Sequence, residues 1–227
     1  KVRKELQKIV LNNPYYRRIT SDAINIMPTV YNMLIEAFAG GYTHANFMYT
    51  DEVLNNVDSY DETSAYPYVM VAYKYPMKAF RECNIKSVDD MIDEFAYLVR
   101  VTFKNIKCKY YNNFISASKC NNIVNATIDN GRIIRAKEIN ITLTDVDFKF
   151  ILDTYNIESY TIEKSFYSVY NYLPKLFIDF ILEKYSNKTK YKNVKGVFHS
   201  YHKGWVVCYQ SSVIFKSHKF RSRNHII

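Results

Sequence analysis

The chain has 227 residues, 48% of them hydrophobic and 16% aromatic, which suffices for a packed core in one or two domains and argues against a disordered chain. No apolar run approaches the roughly 20 residues of a membrane span. The four cysteines (Cys83, Cys108, Cys120, Cys208) form no C-x-x-C pair, which argues against zinc and disulfide frameworks and fits a reduced, cytoplasmic setting.

The net charge of +9 sits at one end. From Lys184 onward there are 10 Lys or Arg and no Asp or Glu, so the residues before it hold 21 bases against 22 acids. A basic end of this kind either binds phosphate backbones without sequence preference or is foreign to the rest of the chain. There is no signal-peptide pattern and no initiator Met at Lys1, so the chain is expected to start inside a longer reading frame.

In chain order, residues 1–20 are basic and polar, with a break at Pro14. Met27 to Phe38 is predicted as a helix, with Pro28 in its first turn and Val30, Leu34, Ala37 and Phe38 on one face. Gly40 and Gly41 stop it. Two adjacent glycines, in a chain that has five, are either an ordinary helix-ending turn or a loop that lets another backbone approach closely. Phe38 and Tyr42 flank them as stacking faces. Met48 to Asn56 is a connector whose Asp51 and Glu52 are expected in solvent.

Val57 to Asp61 is predicted as a buried strand ending on a carboxylate. Ser64-Ala65-Tyr66-Pro67 turns the chain, and Tyr68 to Tyr75 re-enters as a helix. A carboxylate at such a strand end can reach a metal, and the amides of the turn can face a phosphate. Lys86 to Ala96 is predicted as a helix opened by a Ser87/Asp90 capping pair.

From Tyr97 the period becomes two, with Val99, Val101 and Phe103 on one face. Asp129-Asn130-Gly131 is a turn, and Arg132 to Thr142 a second strand. Thr144 caps a short helix bearing Phe148, Ile151 and Leu152. Ile157 to Ser165 is a further strand. Leu173 to Tyr185 is a helix with Leu176, Phe177, Phe180 and Ile181 inward.

Asp61-x-x-Ser64-x-Tyr66-Pro67 resembles motif A of the family B DNA polymerases, D-x-x-S-L-Y-P, with Ala65 in place of Leu. Phe38-Ala39-Gly40-Gly41-Tyr42 resembles the Y-x-G-G segment that joins exonuclease and polymerase regions in that family, with Phe38 in place of Tyr. The spacing of about twenty residues resembles the protein-primed, phi-twenty-nine-like branch of phages and linear plasmids. Asn187 to Lys192 resembles the K-T-x-x-K stretch before motif B, so the similarity runs from about residue 20 to Gly196. Residues 197–227 contain neither the K-x-x-x-N-S-x-Y-G of motif B nor the Asp-Thr-Asp of motif C.

The resemblance implies a mixed α/β (α+β) fold: part of a polymerase palm with a small inserted α/β subdomain. Residues 1–40 would lead in from an exonuclease domain, 41–85 would be the palm segment with motif A, and 86–196 the terminal-protein-region insertion. The basic tail, 197–227, would lie outside the polymerase fold. Implied roles are catalytic and metal-binding for Asp61, and a carbonyl metal ligand for Glu62. Ser64, Ala65 and Tyr66 would bind nucleotide, and Phe38, Gly40, Gly41 and Tyr42 the DNA template.

The implied cofactor is Mg²⁺, two ions in a complete enzyme, and the implied partners are template-primer DNA, dNTP and a priming terminal protein, with no membrane. Lys104, Lys107, Lys109, Arg132, Arg135 and Lys137 would follow duplex DNA or the priming protein, or else form a solvated sheet face. Without motifs B and C the chain is expected to be an inactive fragment of a DNA-directed DNA polymerase. The alternative is a non-catalytic module that binds single-stranded DNA or a priming protein.

Overall fold

The computed structural model describes residues 4, 5, 8, 12–14, 17, 26–39, 49, 51–60, 65–110 and 113–190. Its helices are α1 (Pro28–Ala37), α2 (Ala65–Ala72), α3 (Asp145–Thr154) and α4 (Lys175–Lys190). Its strands are β1 (Tyr75–Pro76), β2 (Arg81–Cys83), β3 (Phe95–Cys108), β4 (Cys120–Asp129), β5 (Arg132–Thr144) and β6 (Tyr155–Asn171). The fold is thus mixed helix and antiparallel sheet, as the sequence leads one to expect. No helix among the described residues is long and apolar enough to cross a membrane. The chain divides into two compact units, one formed by 26–60 and 78–170, the other by 1–25, 61–77 and 171–227.

The first unit is built on an antiparallel sheet in the order β6-β3-β5-β4, with β2 on the far side of β6. Val101 pairs with Ile141 on one side and Ile162 on the other. One face carries Val99, Val101, Phe103, Ile139, Ile141 and Leu143, and α3 covers it with Phe148 and Ile151. The Phe148 ring centre lies 6.0 Å from that of Phe103 and 5.3 Å from that of Tyr160. On the other face Leu98 and Phe166 pack on Val30 and Met33 of α1.

Local chemistry fixes where these elements begin and end. Thr144 caps α3 by accepting from Asp147 N at 3.2 Å, and Asp145 and Asp147 place carboxylates in its first turn. Lys109 Nζ donates to the Asp153 carbonyl at 2.9 Å, closing the other end of that helix. Asn130 and Gly131, at φ 46° and 73°, join β4 to β5 with Asp129 opposite Arg132, the two-residue hairpin that needs two left-handed residues.

Within the strands two more asparagines are left-handed, Asn105 at φ 47° and Asn125 at φ 48°. The register puts both opposite Lys137, since Lys104 and Val124 face Glu138 while Ile106 and Ala126 face Ala136. Asparagine tolerates this conformation better than most residues. Around that row the buried positions of β5 step by three, Ile133, Ala136, Ile139, before returning to steps of two.

Four expectations change, the first being that α2 spans Ala65–Ala72, where the sequence reads a turn through Pro67 and a helix from Tyr68 to Tyr75. Lys86–Ala96 is not a helix: the Ser87/Asp90 box forms, but it opens only a short 3-10 turn, Val88–Asp90, and Phe95 begins β3. Pairing of Phe95 with Val169 and an edge-to-face ring contact with Tyr167 at 5.2 Å outweigh the helical pattern. Residues 57–60 are not a buried strand: Val57 is 69% and Tyr60 90% exposed, and no described strand pairs with them. A lone strand leaves its backbone groups without a ladder. Leu176, expected inward on α4, is exposed.

In the second unit, Met70 of α2 packs with Leu173 and Ile181, and Phe177 and Ile178 of α4 lie against them. Phe177 N and Ile178 N donate to the Pro174 carbonyl at 2.8 and 3.1 Å, so Pro174 starts α4 as the sequence suggests. The tail at 197–227 lies outside the described residues.

Candidate DNA and nucleotide site

Ala65 and Tyr66 open α2, with Pro67 third in the helix. Pro67 suits a first turn, where a missing N–H costs no intrahelical bond. Buried Met70 anchors this helix, and the Tyr66 ring is 65% exposed. Asp61, Glu62 and Ser64, to which the sequence assigns metal and nucleotide contacts, lie outside the described residues. Among the described residues no three His, Cys, Asp or Glu side chains gather as metal ligands. Asp51 and Glu52 are exposed, in keeping with a solvated loop.

In the other unit, α1 ends at Phe38, whose amide donates to the Leu34 carbonyl at 3.0 Å. The Phe38 ring is 39% exposed. Lys119 Nζ lies 5.9 Å from its centre and 3.5 Å from the Ile35 carbonyl oxygen. An aromatic face beside a cation is the pairing that single-stranded nucleic acids use. Gly40, Gly41 and Tyr42 lie outside the described residues.

Two residues before Phe38, Glu36 accepts from Arg100 Nη2 and from Thr142 Oγ1, each at 2.6 Å. Partial burial pushes the Glu36 carboxyl up, but the Thr142 and Arg100 bonds outweigh it and hold the group below its ordinary value. An exposed ion pair contributes about 0–1 kcal/mol. Here both charged side chains are only about 30% exposed and two donors meet one oxygen, so hydrogen bonds to a charge, about 1.5–3 kcal/mol, are the closer measure. No sequence motif marks these residues, because their partners lie 64 and 106 positions away.

The basic residues of the sheet divide into two groups. Lys109 holds the end of α3, Arg132 Nη1 donates to the Phe114 carbonyl at 2.7 Å, and Arg135 Nε donates to Thr127 Oγ1 at 2.9 Å. These three are engaged by the chain's own oxygens. Lys104, Lys107 and Lys137 are exposed.

No family model and no curated protein matches the chain. Solved structures do. Phi29 DNA polymerase in a post-translocation binary complex with primer-template DNA matches over 95% of this chain and 35% of its own, with TM-score 0.67 and 14% identity. The fold is similar to that of a DNA polymerase.

The phi29 ternary complex with primer-template DNA and incoming nucleotide matches over 82% of this chain and 31% of its own, with TM-score 0.59 and 15% identity. Phi29 polymerase with single-stranded DNA covers 84% and 33%, with TM-score 0.54 and 16% identity. This chain spans about a third of the length of phi29 polymerase. At such identity the likeness concerns the path of the backbone. It is a separate observation from the motif resemblance, which concerns a few side chains.

Proposed function

We propose that the chain is a fragment of a protein-primed family B DNA polymerase, the part that carries motif A and the region inserted after it. The observation that carries this reading is the backbone likeness to phi29 polymerase over 95% of the chain. The ordered pair Phe38-x-Gly40-Gly41 and Asp61-x-x-Ser64-x-Tyr66-Pro67 supports it from the sequence.

In this reading the Phe38–Tyr42 segment lies along the template strand, Phe38 and Tyr42 giving stacking faces and the glycines close approach. Ser64 holds the turn, and the amides of Ala65 and Tyr66 lie against the triphosphate. The Tyr66 ring lies beneath the sugar and excludes a 2′-hydroxyl. Asp61 and the Glu62 carbonyl are the groups that would hold Mg²⁺, which would supply the charge stabilisation of phosphoryl transfer in a complete enzyme.

The insertion, 86–196, faces duplex DNA or a priming protein through its exposed lysines. The chain by itself is expected not to extend a primer, because the Asp-Thr-Asp carboxylates of motif C are not among its residues.

The test has two stages. Residues 1–227 are expected to bind single-stranded and primer-template DNA without extending it. A longer chain that supplies motifs B and C is expected to extend a primer with Mg²⁺ and dNTP. Binding without extension in that longer chain would favour the non-catalytic module instead, and no DNA binding by either chain would overturn both.

A further inference from the structure

The last turn of α1 is tied to the sheet of its own unit through one carboxylate. Glu36 takes Arg100 of β3 and Thr142 of β5, and Arg100 Nε also reaches Thr142 Oγ1 at 3.4 Å. The Thr142 hydroxyl thus donates to Glu36 and accepts from Arg100, so the three side chains close a ring of hydrogen bonds. Thr142 is 1% exposed near the end of β5, directly opposite Arg100 of β3, and the pairing holds it in place. Two residues beyond Glu36 the helix stops at Phe38.

Helix ends fray unless something holds them. The geometry points to Arg100 and Thr142 as positioning residues that act through Glu36, fixing the place of the Phe38 ring so that a base of single-stranded DNA stacks on it. This rests on the reading of Phe38 as a template contact. The physical basis is preorganisation: a ring already in place needs no ordering when the strand arrives. The role assigned to Arg100 is positioning and not phosphate contact, because Nη2 and Nε are turned to Glu36 and Thr142.

Binding of a labelled oligothymidylate to residues 1–227, measured across a salt series, tests the assignment. A stacked base is worth about 1–3 kcal/mol, roughly 5- to 150-fold in affinity. Arg100→Met loosens the ring without removing it and is expected to weaken binding about 5- to 10-fold. The salt slope should not change, whereas loss of a direct phosphate contact would flatten it by about 0.7.

In a Phe38→Ala background Arg100→Met is expected to have no further effect, because the two act on one contact. Glu36→Gln keeps an acceptor oxygen but loses the charge, and is expected to weaken binding less than Arg100→Met does. Should Arg100→Met fail to fold, the near-isosteric Thr142→Val removes the other donor and is expected to give the same pattern.

The inference is overturned if the variant binds normally, if it flattens the salt slope, or if it costs the same factor with and without Phe38. An unchanged chain that does not bind the oligonucleotide overturns the template reading and this inference together. Normal binding by both the unchanged chain and the variant overturns only the inference.

Discussion

Tyr170 near the end of β6 donates its hydroxyl to Asp145, 3.1 Å from each carboxylate oxygen, while Tyr97 N at the start of β3 donates to the same group at 3.2 Å. One buried carboxylate thus joins the beginning of a central strand, the first turn of α3 and the end of a neighbouring strand. Burial pushes the Asp145 carboxyl up, against the bonds from Tyr97 and Tyr170 that pull it down, and the net shift is upward.

That shift sets a pH dependence. A carboxyl raised in the folded state holds its proton there more tightly than in the unfolded chain. Stability from this group is therefore greatest below the unfolded value, near pH ~4, and falls as pH rises through the folded value. Asp145→Asn keeps an acceptor and removes the titration, so the fall should flatten. It should not vanish, because burial raises Asp147 in the same direction. Tyr170→Phe removes a bond that lowers the carboxyl, so the fall should extend to higher pH, with a loss of about 1–3 kcal/mol. Urea unfolding between about pH 4 and 7 reads both. Profiles identical to the unchanged chain would remove Asp145 from the account.

Left-handed Asn125 supplies a second prediction. It is exposed, so little but its backbone is at stake. Asn125→Gly should be neutral or mildly stabilising, whereas Asn125→Val should cost about 1–3 kcal/mol because a branched side chain resists positive φ. Thermal unfolding of the two variants decides. Equal midpoints would mean that position 125 does not require this conformation.

How much of this was legible in the sequence depends on where each element gets its instructions. Thr144, Pro28, Pro174 and Asn130-Gly131 act on their own neighbours, and the elements they start or end stand where local chemistry puts them. β4 was not readable: its Asn121, Asn122 and Asn125 break any alternation, and it is a strand because β5 pairs along it. The steps of three in β5 hid for the same reason, since they lie opposite left-handed asparagines on the two flanking strands. For the candidate site, the sequence pointed to Phe38, Ala65 and Tyr66. It could not point to Glu36, Arg100 and Thr142, whose relation exists only once α1 lies on the sheet.

The third prediction concerns Asp61 in a chain completed with motifs B and C. Asp61→Asn should lower primer extension by several powers of ten, since an amide is a poor ligand for a hard cation that needs carboxylate oxygen. DNA binding by the same variant should be nearly unchanged. Extension within a fewfold of normal would remove the metal-ligand role.

Tyr66 gives the fourth. In the completed chain, Tyr66→Val should raise ribonucleotide incorporation more than it lowers deoxynucleotide use, because the smaller side chain leaves room for a 2′-hydroxyl. Competition between dNTP and rNTP in single-nucleotide extension measures it. Unchanged discrimination would make Tyr66 a packing residue at the start of α2.

Ser168 Oγ accepts from Lys78 N at 3.3 Å and donates to the Lys78 carbonyl at 2.6 Å, so the chain passes the same point twice, 90 residues apart. Further in, Tyr170 N donates to the Glu94 carbonyl at 3.0 Å, a second tie near the same neck. A segment whose two ends already touch can be spliced into a host loop, or cut out and bridged by a few residues, with little loop-closure entropy. Because α1 packs on the sheet that 78–170 builds, a transplant joined at the Lys78–Ser168 neck would have to carry α1 or a substitute for it.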